Sequence, residues 1–384
     1  MSRNIFLFLA VFVISLDSYF RLRGIFGLGF LFLYLLTIKF NTSLDRKYIL
    51  PIGLMAAGFG LYTLLAFFYP NTYLQINEDK ELFYFKIFDR FSLILLFIFI
   101  CFSFKNKNYA EILRNIALVH IFYLTFQFVM YYGLHIEIDI LSWFGIEQRT
   151  DMVYDGLNIF RPAGFFWEPS NFAAYILALY LPYLIKQTNY HKLDYLLPIS
   201  IVLTLSSAAF LIGTLVMLVM LWKTGLIKKP KVLLFAILVG IPIILFGYQS
   251  QKARFEDGLG DNANTLLRLN LVEYAFKSRL NSPLLLVGGT GIYSYDLYIK
   301  NEEDSPFGRS IASIQDATFF VFTYLLTGII GLIILFLLIM NVKGISNKFF
   351  VLIFMLTKIS FLFPVFLFFI YTVFENKRKR IETD

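Results

Sequence analysis

Long apolar runs follow one another through the chain, at about 4–20, 24–40, 49–69, 83–104, 111–133, 164–186, 231–249 and 317–341. A helix rises 1.5 Å per residue, so about 20 apolar residues cross a hydrocarbon core of roughly 30 Å. Each run reaches or approaches that length. Of the 384 residues, 58% are apolar and only 16% charged, against about a quarter charged in soluble domains. A soluble chain this apolar would lack the polar surface to cover itself. A cytosolic enzyme, a disordered chain and a secreted disulfide scaffold are thereby excluded. The sequence predicts an all-α polytopic membrane protein, a single integral membrane domain over 1–384. The opening MSRNIFLFLAVFVIS has the basic start and apolar stretch of a signal peptide without a small-residue cleavage site, and reads as an uncleaved first span.

Two apolar stretches, 193–222 and 347–374, are too long for one untilted helix and too short for two full spans. The positive-inside rule arbitrates. With the N-terminus inside, Arg46, Lys47, Lys105, Lys107, Lys186 and Lys192 fall on the inner side. A short hairpin turning near Ser206-Ser207 brings Lys223, Lys228, Lys229, Lys231, Lys343 and Lys348 inside as well. A second hairpin, turning near Lys358 and Pro364, does the same for the tail at 375–384. This yields about twelve membrane segments with both termini cytoplasmic. The outer turn Arg21-Leu22-Arg23 violates the rule. Two outer segments, 134–163 and 250–316, are too long to be mere connections. No internal repeat divides the chain.

The single cysteine, Cys101, precludes an internal disulfide, and His120, His135 and His191 are too scattered for a metal-ligand motif. No metal, cofactor or nucleic-acid partner is expected. The most informative stretch is RPAGFFWEPSNFAAY at 161–175. Pro162 and Pro169 disfavour helix at Arg161 and Glu168, and proline suits the first helical position, so a helix begins at Pro169. Glu168 then stands at a helix N-terminus, where an acidic side chain is favoured. It reads either as a working carboxylate or as a cap that satisfies helix amides or pairs with Arg161.

Arg268, Glu273 and Arg279 lie in TLLRLNLVEYAFKSRLNSP, an amphipathic helix ended by Pro283. A row of arginines suits a phosphate-bearing ligand; a solvated charged face is the plain alternative. Gly288-Gly289-Thr290-Gly291 resembles a phosphate loop only superficially and reads as a turn needing positive φ. Asp316 stands at the mouth of the span that follows, as a site candidate or an ordinary boundary residue. Lys86, Asp89 and Arg90 share one helix face. Charges at that depth are often functional, but snorkelling to the interface is the preferred reading. For Arg114, His120 and Lys358 core packing or boundary placement is the default.

The 161–175 segment resembles that of Wzy-type O-antigen or oligosaccharide repeat-unit polymerases, in the wider O-antigen ligase-like superfamily. Arg161, Gly164, Phe166, Glu168, Pro169 and Ser170 carry the pattern, and the order of later features, including Leu205–Ala208, Pro283, Gly328 and Gly331, continues it over most of the chain. Ligases carry a His-Asn pair where this chain has Gln315-Asp316, and the Arg-x10-Gly spacing of some polymerases is met only approximately by Arg279. The resemblance implies a GT-C-like membrane fold with a large external loop domain. It implies an inverting, metal-independent glycosyltransferase at the outer face of the bacterial cytoplasmic membrane. Donor and acceptor would be undecaprenyl-pyrophosphate-linked oligosaccharides, with membrane lipid and a chain-length regulator as further candidate partners. Glu168 is the expected base, with Arg161 beside it. Arg254, Arg268, Arg279, Asp316, Lys86 and Arg90 are the expected substrate and pyrophosphate contacts. A lipid-linked oligosaccharide flippase and an O-antigen ligase are the alternatives; the first would concentrate charge within the spans rather than in 250–316.

Overall fold

The computed structural model describes residues 3–17, 22–38, 44–69, 80–105, 107–146, 148–154, 157–229, 276–277, 280, 282–293 and 318–381. Among them the chain is helical and membrane-embedded. Four helices are long and apolar enough to cross a bilayer: Arg46–Phe68, Phe83–Phe104, Tyr109–Leu134 and Phe319–Met340. The described elements run α1 (Arg3–Ile14), α2 (Arg23–Leu36), α3 (Ile49–Phe68), α4 (Lys80–Phe104) and α5 (Tyr109–Leu134). They continue with β1 (Asp151–Tyr154), β2 (Leu157–Phe160), α6 (Pro169–Lys186), α7 (Leu196–Leu203), α8 (Ser207–Lys223), α9 (Pro283–Gly288), α10 (Phe319–Met340), α11 (Ile345–Met355) and α12 (Phe366–Ile381).

The first two apolar runs depart from the expected full spans. Helices α1 and α2 have 12 and 14 residues, about 18 and 21 Å, and pack on each other. Both stretches of ambiguous length hold two short helices rather than one long one. Helices α7 and α8 pack together across a turn at Leu205, whose φ is 52°. The chain between α11 and α12 turns through Lys358 and Pro364. β1 and β2 form an antiparallel hairpin with Asp151 opposite Phe160, a small departure from an all-α chain.

Helix α6 is the axis of the molecule. Asn171 apart, its side chains from Pro169 to Ile185 are buried, and α5, α7, α8, α11 and α12 pack around it. A helix apolar on all sides is one enclosed by its neighbours. Helix α10 is broken at Gly328, with φ 61° and ψ −154°. Gly289, at φ 68°, lies against the Leu326 backbone there, and Gly328 lies against the Val287 carbonyl, so a Cβ at either would collide. The carbonyls near the break are satisfied from the glycine turn: Thr290 N donates to Leu325 O at 3.0 Å and Gly291 N to Leu326 O at 2.9 Å. Gly288–Gly291 is thus a positive-φ turn, as expected.

At the end of the bundle where α6 finishes, charges pair closely. Lys47 and Tyr48 donate to Glu375, and Asp45 lies 3.7 Å from Lys47 and 3.4 Å from Lys105. Arg114 Nε donates to Asp194 at 2.5 Å, and the hydroxyls of Tyr180 and Tyr183 and the His191 N–H complete that carboxylate's partners.

Candidate functional site

The candidate site lies at the opposite end, where α6 begins. Pro169 is the first helical residue, as the sequence predicts, and Glu168 precedes it in extended conformation at φ −132° and ψ 140°. Neither structural reading of Glu168 is realised. Its side chain makes no cap bond, and its ion-pair partner is not Arg161 but Lys358, at 3.4 Å between Oε1 and Nζ. Asp17, fully buried just beyond the end of α1, accepts from Trp167 N–H and from Asn171 Nδ2, each at 3.1 Å. That carboxylate ties the end of α1 to the segment before α6 and to the first turn of the helix, while Glu168 faces Lys358.

The segment leading to Glu168 is fixed by amides. Gly164, at φ 65°, donates to Gln127 Oε1 at 2.8 Å, and a Cβ there would crowd the Phe172 ring at 3.1 Å. Gln148 Nε2 donates to Gly164 O and Phe166 O, both at 2.7 Å. Arg149 N donates to Trp167 O at 2.8 Å, and its guanidinium lies 4.2 Å from the Trp167 ring centroid. Arg161, half-buried, donates its N–H to Thr150 O at 2.7 Å. Behind the segment His120 is packed among the rings of Phe12, Phe165 and Phe166, with Ser15 Oγ 2.9 Å from Nε2; this is the packing role expected of it.

A row of cations continues from Glu168. Arg23 is only 5% exposed. It donates to Leu16 O at 2.5 Å and Tyr175 OH at 2.7 Å, and lies over the rings of Tyr175 and Phe363 at 5.2 and 5.0 Å. Phe363 belongs to the turn that carries Lys358. The charges of Arg90 and Arg23 both act on Asp89, and Arg90 donates to it directly. Lys86 donates to Tyr293 O at 3.1 Å. Tyr293 in turn hydrogen-bonds through its hydroxyl to Thr63, and Tyr62 donates to Gly288 O, each at 2.6 Å.

Lys86 and Arg90 are 4% and 3% exposed, which corrects the snorkelling reading. Their heads turn into the protein because Tyr293 and Asp89 supply acceptors there. Of the predicted site residues, Glu168, Lys86 and Arg90 thus lie at one end of the bundle, with Arg161 in the segment leading to Glu168. Arg254, Arg268, Arg279 and Asp316 lie outside the described residues. Sequence reasoning missed Asp17, Arg23 and Arg149 as members of the site and treated Lys358 as a boundary residue. One signal did exist: Arg23 lies in the turn that departs from the expected charge pattern, and the structure shows it as a buried, hydrogen-bonded side chain.

An ionised carboxylate at Glu168 can accept a proton from a hydroxyl, and the buried cations can hold a developing negative charge. Among the described residues, no three of His, Cys, Asp and Glu are grouped as a metal would require. Comparison with protein families, curated proteins and solved structures finds no match to this chain.

Proposed function

We propose that the protein polymerises undecaprenyl-pyrophosphate-linked oligosaccharide repeat units at the outer face of the bacterial cytoplasmic membrane. The product is O antigen, capsule or exopolysaccharide. The resemblance implies a GT-C-like fold, and span lengths and basic residues favour about twelve membrane segments with both termini cytoplasmic. The observation that carries the reading is Glu168, held extended before Pro169 at the start of the central helix, making no cap bond, and followed by Lys358, Arg23, Arg90 and Lys86.

In this reading the acceptor hydroxyl gives its proton to Glu168 as its oxygen attacks the anomeric carbon of the donor sugar. The bond from that carbon to the pyrophosphate oxygen breaks, and the leaving group takes the electron pair. Fixed guanidinium and ammonium groups hold the charge that develops on it. Arg23, Lys86, Arg90 and Arg161 are the described candidates, joined by Arg254, Arg268 and Arg279 of the long polar segment. Gln315-Asp316 in place of a ligase His-Asn pair favours polymerase over ligase.

The test is a deletion in a host that displays O antigen. Without a polymerase, single units still cross the membrane and are still ligated, so cores should carry one repeat unit and no ladder. Bare cores, restored by this gene alone, would sink the reading in favour of translocation or ligation. Accumulation of carrier-bound polymer would then identify a ligase. In a capsule or exopolysaccharide host the expected result is loss of high-mass polymer with lipid-linked single units retained.

A further inference from the structure

The loop after α5 carries a surface for which the proposed reaction has no use. Residues 138–146 and Gln148 close on one side chain of that helix: Gln127 Nε2 donates to Ile138 O at 2.7 Å and to Gln148 Oε1 at 3.2 Å. Further back along α5, the Tyr123 hydroxyl meets the Ile140 backbone. At 1.5 Å per residue, Gln127 lies about 10 Å, and Tyr123 about 16 Å, before the helix end at Leu134. The loop therefore folds back along α5 instead of standing clear of it. Helix α5 has 26 residues, a length of about 39 Å against a hydrocarbon core of roughly 30 Å. With the helix centred in the bilayer, the level of Gln127 is about 6 Å inside the hydrocarbon boundary.

The tip of this loop is a rigid turn. Asp139 Oδ1 accepts from Leu141 N at 2.8 Å and Ser142 N at 3.2 Å, and its Oδ2 accepts from Gln148 N at 3.3 Å. Gly145, at φ 73°, ends the turn. Leu141 is buried, while Trp143 is 81% and Phe144 64% exposed. Trp143 is the most exposed of the large apolar side chains described. The apolar exposure continues onto Leu134 and Ile136 and, along the membrane-crossing helix itself, onto Val129, Phe126 and Phe122. Water disfavours two aromatic rings held outward, whereas the boundary between headgroups and hydrocarbon selects such rings.

We propose that the Trp143–Phe144 turn is seated in the headgroup–hydrocarbon boundary of the bilayer, making residues 138–146, closed by Gln148, a lipid-anchored foot. Gln148 joins this foot directly to the Gly164 and Phe166 carbonyls, and so to the segment that ends in Glu168. The inference rests on the membrane-embedded fold alone and is independent of the reaction.

The chain has three tryptophans, at positions 143, 167 and 222. The double variant Trp167→Phe, Trp222→Phe leaves Trp143 as the only indole. It is reconstituted into phosphatidylcholine vesicles whose acyl chains carry bromine near the ester end. Bromine at that depth should remove at least about half of the Trp143 emission. A smaller loss overturns the proposal, whether the rings face water or are covered by a second copy of the chain. If the double variant fails to fold, Trp143→Phe in the otherwise native chain gives the same answer. The bromine-quenched part of the emission must then fall, and an unchanged quenched fraction overturns the proposal.

Discussion

The two ends of the central helix α6 use charge in opposite ways. Where α6 finishes, ionic groups lie in short pairs: Glu375 with Lys47 and Tyr48, and Asp194 with Arg114, two tyrosines and a backbone amide. Where α6 begins, Glu168 makes no cap bond and its carboxylate meets the Lys358 ammonium at 3.4 Å. Buried cations crowd the same region from α2 and α4: Arg90 pairs with Asp89, while Arg23 and Lys86 donate to uncharged oxygens. Closely matched pairs suit an end that has only to hold together. An end where several buried cations gather suits an anionic guest.

The sharpest way to break this contrast is to remove one carboxylate charge at each end. Glu168→Gln keeps shape and hydrogen bonding but removes basicity, and should lower polymer formation by about 10²- to 10⁴-fold. The protein should still accumulate in the membrane. Glu375→Gln should leave the polymer ladder intact and lower the melting temperature. A normal ladder from Glu168→Gln eliminates it as base, and lost protein in place of lost activity returns it to a structural role.

The next effect belongs to the closed end. Asp194 is fully buried and Arg114 is 14% exposed. Arg114→Met leaves that carboxylate with hydroxyl and amide donors but no countercharge, which should cost about 3 kcal/mol of stability. Thermal melting in detergent reads this, and an unchanged melting temperature would show that the pair does not hold α5 to the segment between α6 and α7. The smallest effect sharpens the comparison at the open end. Asp17→Ala removes the acceptor of the Trp167 N–H and the Asn171 amide and should cost about 1 kcal/mol. Asp17→Asn, which retains an acceptor oxygen, should recover most of that loss. Equal melting temperatures for the two variants would refute the role of Asp17 as that acceptor.

What was legible in the sequence was what depends on neighbours along the chain. Pro169 sets the start of α6 and the extended Glu168 because a ring at that position leaves the backbone little choice. The turn at Gly288–Gly291 follows from glycine's access to positive φ. The paired short helices α7 and α8 follow from length and from the basic residues beyond them. What was not legible depends on pairs far apart in sequence. Lys86 is buried because Tyr293 offers it a carbonyl, and Arg23 because Leu16 offers a carbonyl and Tyr175 a hydroxyl. Glu168 meets Lys358 only once the turn after α11 lies beside the start of α6. The foot at 138–146, closed by Gln148, looks like an ordinary outer loop until Gln127 is seen to grip both of its ends.

The break in α10 limits how this protein can be recombined. The glycine turn donates its amides to the carbonyls of Leu325 and Leu326, and Gly289 and Gly328 make room for each other's backbone. Those two stretches are halves of one joint although they lie on separate parts of the chain. A chimera that imports 250–316 from a relative and keeps the resident α10 would separate the halves and leave unsatisfied carbonyls in a surrounding without water. A graft that carries everything from the long polar segment through Gly331 keeps the joint whole, and that is the exchangeable unit.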